Sequence, residues 1–89
     1  MAKASVDPEQ LKRLARSLTQ FDRTLGEMTS QLKGQMRQLE SAWQDQEQAK
    51  FAQQFAEAVR YLDRFVEANE EHARLLARKA QHIEAYLDA

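Results

Sequence analysis

Apolar side chains recur in alternating steps of three and four residues along two long stretches of this chain. In the first stretch these positions are Leu11, Leu14, Leu18, Phe21, Leu25, Met28, Leu32, Gln35, Leu39 and Ala42. In the second they are Ala52, Phe55, Val59, Leu62, Val66, Asn69, Ala73, Leu76, Ala80, Ile83 and Leu87. One polar residue interrupts each column: Gln35, where neighbouring Met36 can take the place, and Asn69. The spacing predicts two helices, each with a heptad seam along one face.

Signals for the start of a helix occur at two points. Asp7 followed by Pro8 is a typical N-cap and first helical residue, so helix 1 is predicted over about 7–42. Asp45, three residues before Gln48, has the form of a capping box and predicts a turn at about 43–46 and helix 2 over about 47–88. Because the connection is short and the seams are similar in length, the sequence predicts one domain over 1–89, an all-α antiparallel helical hairpin.

The apolar surface of helix 2 is wider than one partner helix can cover. The column beside its seam contains Phe51, Ala58, Phe65, His72, Lys79 and Tyr86. A chain of this length buries only about 60% of its unfolded surface, so we expect a partner subunit. We predict that two hairpins dimerise face to face into a four-helix bundle. The predicted interface residues are Phe51, Phe55, Ala58, Leu62, Phe65 and Tyr86.

Composition and charge exclude several classes of function. The chain has 89 residues and a net charge of −1, so it lacks the concentrated basic surface that nucleic-acid binding requires. It has no cysteine, which excludes thiol chemistry and cysteine-ligated metals. No long apolar run marks a signal peptide or a membrane segment. We therefore expect a protein that is made in the cytoplasm, does not insert into membranes and, if it is exported, uses no cleaved N-terminal signal.

Residues that could carry chemistry are few. No nucleophile and base are placed together with any specificity, so we predict no enzymatic activity and no cofactor. His72 and His82 are ten residues apart on different columns, which predicts no metal site. Asn69 is either a buried polar residue that fixes register, as in zippers, or a poorly packed position. Trp43, the single tryptophan, is either a packing residue of the turn or a recognition feature.

The length, the two amphipathic helices and the Trp-centred turn together resemble the WXG family, the small helical-hairpin substrates of type VII (early secreted antigen) secretion systems. The stretch from Leu39 to Asp45 stands in the place of the Trp-x-Gly motif, with Asp45 where the motif has Gly, and a Phe-rich segment follows. The resemblance covers essentially the whole chain. It implies a non-enzymatic substrate or co-substrate, which pairs with itself or with a family paralogue and can meet a type VII secretion ATPase.

The family's export signal, a Tyr followed four residues later by Asp or Glu, has no match here. Tyr86 would need an acid one position beyond Ala89, and Tyr61 is followed by Phe65. The resemblance therefore implies export together with a partner that carries the signal, or a homologue that is not exported by this route. The alternative function is an intracellular helical adaptor or scaffold whose wide helix 2 face docks a helix of another protein.

Overall fold

The computed structural model describes residues 6–88 and consists of two helices in that range. Helix α1 spans Pro8–Glu40 and helix α2 spans Gln46–Asp88. The two helices run antiparallel and form a rod with principal dimensions of 65 × 22 × 15 Å. The predicted all-α antiparallel hairpin is confirmed.

The ends of α1 are fixed by local hydrogen bonds. Asp7 is the N-cap, with extended backbone angles, and its side chain accepts a hydrogen bond of 3.0 Å from the backbone N–H of Glu9. Pro8 follows at the first helical position, where a missing N–H has no cost. At the other end, the N–H groups of Ala42 and Trp43 both donate to the carbonyl of Leu39. Helix α1 ends at Glu40, two residues earlier than predicted.

The seam of α2 is the one that the apolar pattern predicts. Val59, Asn69 and Ala80 are buried. The seam positions between and beside them are half-buried, namely Ala52, Phe55, Leu62, Val66, Ala73, Leu76 and Ile83. Only Leu87, at the free end of the hairpin, departs from the prediction with 67% of its surface exposed. Nearly the whole length of α2 thus contacts α1 through a single stripe.

In part of α1 the buried residues are each one position later in the sequence than the predicted seam residues. The buried residues of α1 are Ala15, Asp22, Thr29 and Met36. Leu14, Phe21 and Met28, which directly precede the first three, are predicted in the seam but are between 44% and 56% exposed. The predicted seam positions Leu32, Leu39 and Ala42 are exposed as well. The predicted replacement of Gln35 by Met36 is confirmed, because Met36 is buried and Gln35 is exposed.

The shift has a physical reason in the size and polarity of the two neighbouring columns. Small side chains such as Ala15 and Thr29 let two helix backbones approach closely, while the larger residues beside them can pack against a further surface. The hydroxyl of Thr29 donates to the carbonyl of Leu25 at 2.7 Å, so its burial leaves no unpaired donor.

A polar pair joins the two helices in the middle of the seam. The side-chain amide of Asn69 donates a hydrogen bond of 3.1 Å to Oδ1 of Asp22, and each residue is only 7% exposed. The second carboxylate oxygen of Asp22 is also buried and has no hydrogen-bond partner among residues 6–88. The polar residue in the α2 seam is therefore explained by a partner, Asp22, that the apolar pattern does not reveal.

An ion pair joins the helices near the open end of the hairpin. Nζ of Lys12 donates to Glu84 on α2 and, at 3.4 Å, to Glu9 on its own helix. The hydrogen bond to Glu84 is the main cause that raises the pKa of Lys12 above its ordinary value. Because the folded-state pKa is raised, the pair stabilises the hairpin at neutral pH and loses this effect only as the pH rises through that pKa.

Candidate functional site

The hairpin has two faces of opposite character. Successive residues of an α-helix are rotated by about 100°, so the residues directly before and after a buried position point to opposite sides of the seam. Before the buried residues of α1 stand Leu14, Phe21, Met28 and Gln35; after them stand Arg16, Arg23, Ser30 and Arg37. One side of the molecule is therefore apolar and the other is charged.

We call the first side the apolar face. It consists of exposed side chains of both helices: Leu14, Phe21, Met28, Leu32, Leu39, Phe51, Ala58, Tyr61, Phe65 and Leu75. Phe21 of α1 and Phe65 of α2 meet there, with ring centroids 6.0 Å apart in an edge-on arrangement. Next to this pair, Phe21, Thr24, Leu25 and Met28 of α1 line an open and mostly apolar depression of about 330 Å³.

The six residues predicted for a dimer interface fall into two groups. Phe51, Ala58, Phe65 and Tyr86 are exposed, with 43% of Phe51, 49% of Phe65 and 82% of Tyr86 accessible. Phe55 and Leu62 are instead half-buried in the seam between α1 and α2. Phe51, Ala58 and Phe65 lie on the apolar face. Tyr86 lies near the end of α2, beyond the exposed polar residues His72 and Lys79 of the same column.

The turn carries an aromatic cluster that extends into α2. Trp43 is half-buried, and its ring centroid lies 6.1 Å from that of Phe51. Phe51 is in turn stacked on Phe55 with a centroid distance of 6.2 Å. The cluster leads from the turn to the apolar face through Phe51 and to the seam through Phe55. Trp43 thus packs in the turn, in agreement with its interpretation as a packing residue. Part of its surface still faces outward.

Asp45 begins α2 as its N-cap. Its Oδ1 accepts a hydrogen bond of 2.9 Å from the N–H of Gln48, and its carbonyl accepts one of 3.1 Å from the N–H of Ala49. No residue in the described part of the chain has a positive φ. The turn therefore has no position that only glycine can occupy, and Asp45 can take the third position of a Trp-x-Gly motif while it caps the helix.

The described residues provide little for other kinds of site. Within residues 6–88 no three His, Asp or Glu side chains are grouped so that they could hold a metal ion. Neither α1 nor α2 is long and apolar enough to cross a bilayer. The surfaces that stand out are thus the apolar face, the turn and the charged face.

The apolar pattern does not reveal two parts of this arrangement. It predicts five residues in the seam that lie on the open apolar face, namely Leu14, Phe21, Met28, Leu32 and Leu39. It also gives no role to Asp22. The signal for Asp22 is Asn69, because a polar residue inside an apolar seam needs a hydrogen-bond partner at the same level of the opposite helix.

The sequence matches the WXG100 family, described as proteins of 100 residues with WXG, over residues 3–86. None of the curated proteins is a match.

Crystal structures of EsxB, a secreted protein of Bacillus anthracis str. Sterne, have a similar fold. Wild-type EsxB is 26% identical, with a TM-score of 0.81 and a match that covers 92% of this chain and 88% of that one. A point mutant of EsxB is 27% identical, with a TM-score of 0.81 and the same coverage. The selenomethionine-labelled form, at 24% identity, has a TM-score of 0.83 and covers 97% and 98% of the two chains.

Proposed function

Because this chain belongs to the WXG100 family, we propose that it is a non-enzymatic substrate or co-substrate of a type VII secretion system and acts as a dimer. The family match over residues 3–86 is the observation that carries the proposal. The similarity to EsxB, which is a secreted protein, supports export. The route we propose is the type VII apparatus and its ATPase, in place of a cleaved N-terminal signal.

The apolar face supports the dimer. Among residues 6–88 no large side chain is fully buried, and the buried apolar residues are only Ala15, Met36, Val59 and Ala80. The accessible surface of 7160 Å² exceeds the roughly 5,400 Å² expected for a compact monomer of this mass. The excess is larger than the roughly 800 Å² that one partner contributes to a standard interface. Two apolar faces packed together would form the shared core of a four-helix bundle.

The interface that we propose differs from the one drawn from the apolar pattern alone. Phe51, Ala58 and Phe65 stay in it, and Leu14, Phe21 and Met28 of α1 join them. Phe55 and Leu62 support these residues from the seam. The depression beside Phe21 and Met28 would receive an apolar side chain of the partner, either a second copy or a family paralogue. Tyr86 would lie at the margin of this interface.

The turn is the part that we propose a secretion apparatus reads. Trp43 is half-buried and packs on Phe51, so its remaining surface is held in a fixed orientation by the aromatic cluster. Asp45 fixes the first turn of α2 beside it. A rigid aromatic side chain with a defined exposed edge is a common anchor for protein recognition.

The decisive experiment compares export and association in the same strain. The tagged chain is expressed in its own host with and without the type VII ATPase, and the culture supernatant is assayed together with a cytoplasmic marker for lysis. We expect the chain in the supernatant only when the ATPase is present, and a dimer in sedimentation of the purified protein. A chain that dimerises but stays with the cells in both strains would contradict the secretion role and support the adaptor.

A further inference from the structure

A groove runs between the helices on the charged face, on the opposite side of the seam from the apolar face. Its volume is about 690 Å³. Ala15 of α1 and Ala73 and Ala77 of α2 contribute small side chains to its lining. Where the lining is this small, the backbone of another segment can approach the two helices closely.

The sides of the groove carry an excess of positive charge. Arg16 and Arg23 line it from α1, and Arg74 lines it from α2, together with one acid, Glu70. The ion pairs formed among residues 6–88 are both made by Lys12, so these three guanidinium groups have no carboxylate partner in that part of the chain. Glu70 precedes Arg74 by four residues, a spacing that favours pairing, yet they form no ion pair.

We propose that this groove binds an acidic helical segment of another protein. Guanidinium groups bind carboxylates through paired hydrogen bonds, and Arg16 and Arg23 are seven residues apart, which is about 10.5 Å along α1. Glutamates two turns apart on a helix have the same spacing. A single small anion would leave most of the groove empty, and a chain with a net charge of −1 lacks the extended basic surface that a nucleic acid requires.

The groove can bind its ligand while the apolar face is occupied by a dimer partner. Arg23 and Phe21 flank the buried Asp22, and they point to opposite sides of the hairpin. A partner that covers the apolar face would therefore leave the groove open. This binding site is additional to the proposed secretion role and does not depend on it.

The test uses the full chain and a fluorescent alanine-based helical peptide of about 15 residues. The peptide carries three glutamates on one face over two turns, and a matched peptide carries glutamines. We expect the glutamate peptide to bind by fluorescence anisotropy at low salt and the glutamine peptide to bind about tenfold more weakly. Equal binding of both peptides would overturn the proposal.

Two double variants locate the site. Replacing Arg16 and Arg23 together by Gln should weaken binding about tenfold. The matched control replaces Arg37 and Arg60 by Gln, which removes the same charge outside the groove and should change binding less than about twofold. Equal losses in both double variants would show only long-range attraction between the chain and the peptide and would overturn the assignment to the groove.

A change of shape without a change of charge gives an independent readout. Ala77→Met places a longer side chain in the groove and should abolish the higher affinity of the glutamate peptide relative to the glutamine peptide. Ala56→Met, on the same side of α2 but outside the groove, should leave that difference in affinity unchanged. Circular dichroism checks that helicity is retained.

Two further probes test other classes of ligand at equal ionic strength. In the first, inorganic phosphate at low millimolar concentration displaces the peptide. In the second, vesicles containing anionic lipid bind the chain, and this binding is lost when Arg16 and Arg23 are replaced. Either result would overturn the proposal of a protein segment.

Discussion

At the scale of single residues, the pair formed by Asp22 and Asn69 is the most specific feature of the hairpin. Burial of a carboxylate is unfavourable unless donors surround it, and here one oxygen accepts from Asn69 while the other has no partner in the described range. The pair therefore adds little to stability compared with two apolar residues. Its value lies in alignment, since any shift of one helix along the other would leave both groups buried and unpaired.

Single and double replacement of the buried pair should have opposite effects on stability. Asn69→Leu should destabilise the hairpin by about 2 to 3 kcal/mol, because it leaves the Asp22 carboxylate buried without its donor. Replacing Asp22 and Asn69 together by Leu should restore stability to the wild-type level or above it. Urea denaturation of the three proteins at one concentration measures this. A neutral effect of Asn69→Leu alone would show that the hydrogen bond has no energetic role.

Trp43 allows packing and recognition to be separated. Trp43→Phe keeps an aromatic ring against Phe51 and should cost about 1 to 2 kcal/mol of stability. If the turn is read by a secretion apparatus, export should fall by more than this loss of stability produces. Export and melting temperature are measured for Trp43→Phe and for a variant with an equal loss of stability elsewhere, such as Ile83→Val. Export that follows stability alone across the set would make Trp43 a packing residue only.

Asp45 tests the geometry of the motif. Asp45→Ala removes the acceptor for the N–H of Gln48 and should cost about 0.5 to 2 kcal/mol through fraying of the first turn of α2. Asp45→Gly, which restores the Gly of the Trp-x-Gly motif, should cost only a few tenths of a kcal/mol, because glycine is an acceptable N-cap. Thermal unfolding compares the two. A larger loss for Asp45→Gly than for Asp45→Ala would contradict the capping role.

At the scale of the helices, the sequence predicts the seam of α2 better than that of α1. In α2 the column beside the seam is interrupted by His72 and Lys79, so the more continuous apolar column is the seam and its register follows from spacing alone. Helix α1 offers two neighbouring registers, one with Leu14, Phe21 and Met28 and one with smaller and polar side chains. Hydrophobicity favours the first, but the helices pack through the second. The polar Asn69 is the residue in the sequence that could have distinguished them.

The predictability of the candidate site follows from the same cause. Phe51, Ala58 and Phe65 could be placed on an open surface because the α2 seam was already assigned without them. The α1 half of the apolar face could not, since it was counted as core of the hairpin. The groove on the charged face could not be anticipated either, because it requires residues of α1 and α2 to be set opposite one another, and that alignment depends on the seam.

The shift of the α1 seam can be tested by two methionines eight residues apart. Met36→Ala removes a buried side chain and should destabilise the protein by about 2 kcal/mol or more at every concentration. Met28→Gln alters the apolar face and should leave the isolated hairpin within about 0.5 kcal/mol of the wild type while it weakens association. Denaturation at a low and a high protein concentration separates the two effects. Equal behaviour of both variants would contradict the observed register.

At the scale of the whole molecule, we expect an elongated hairpin with a thin seam to depend on association for its stability. Its length of 65 Å exposes both helices along their full extent, and the described residues include no large side chain that is fully buried. When folding is linked to dimerisation, mass action makes the melting temperature rise with protein concentration. A melting temperature that stays constant over a hundredfold range would place most of the stability within the single hairpin.

The dimer itself is tested most sharply at Phe65, in the middle of the apolar face. Phe65→Glu places a charge where two such faces would meet and removes the contact with Phe21, so sedimentation should show a monomer or a chain that has lost helicity. Gln53→Glu adds a charge on the opposite side of α2 and should leave the dimer intact. A second variant, Phe65→Ala, separates loss of association from loss of folding. It keeps the surface apolar, so the dimer should be weaker while helicity is retained at high protein concentration. If the wild-type chain sediments as a monomer at high micromolar concentration, the apolar face is not a self-association surface and the homodimeric four-helix bundle is wrong.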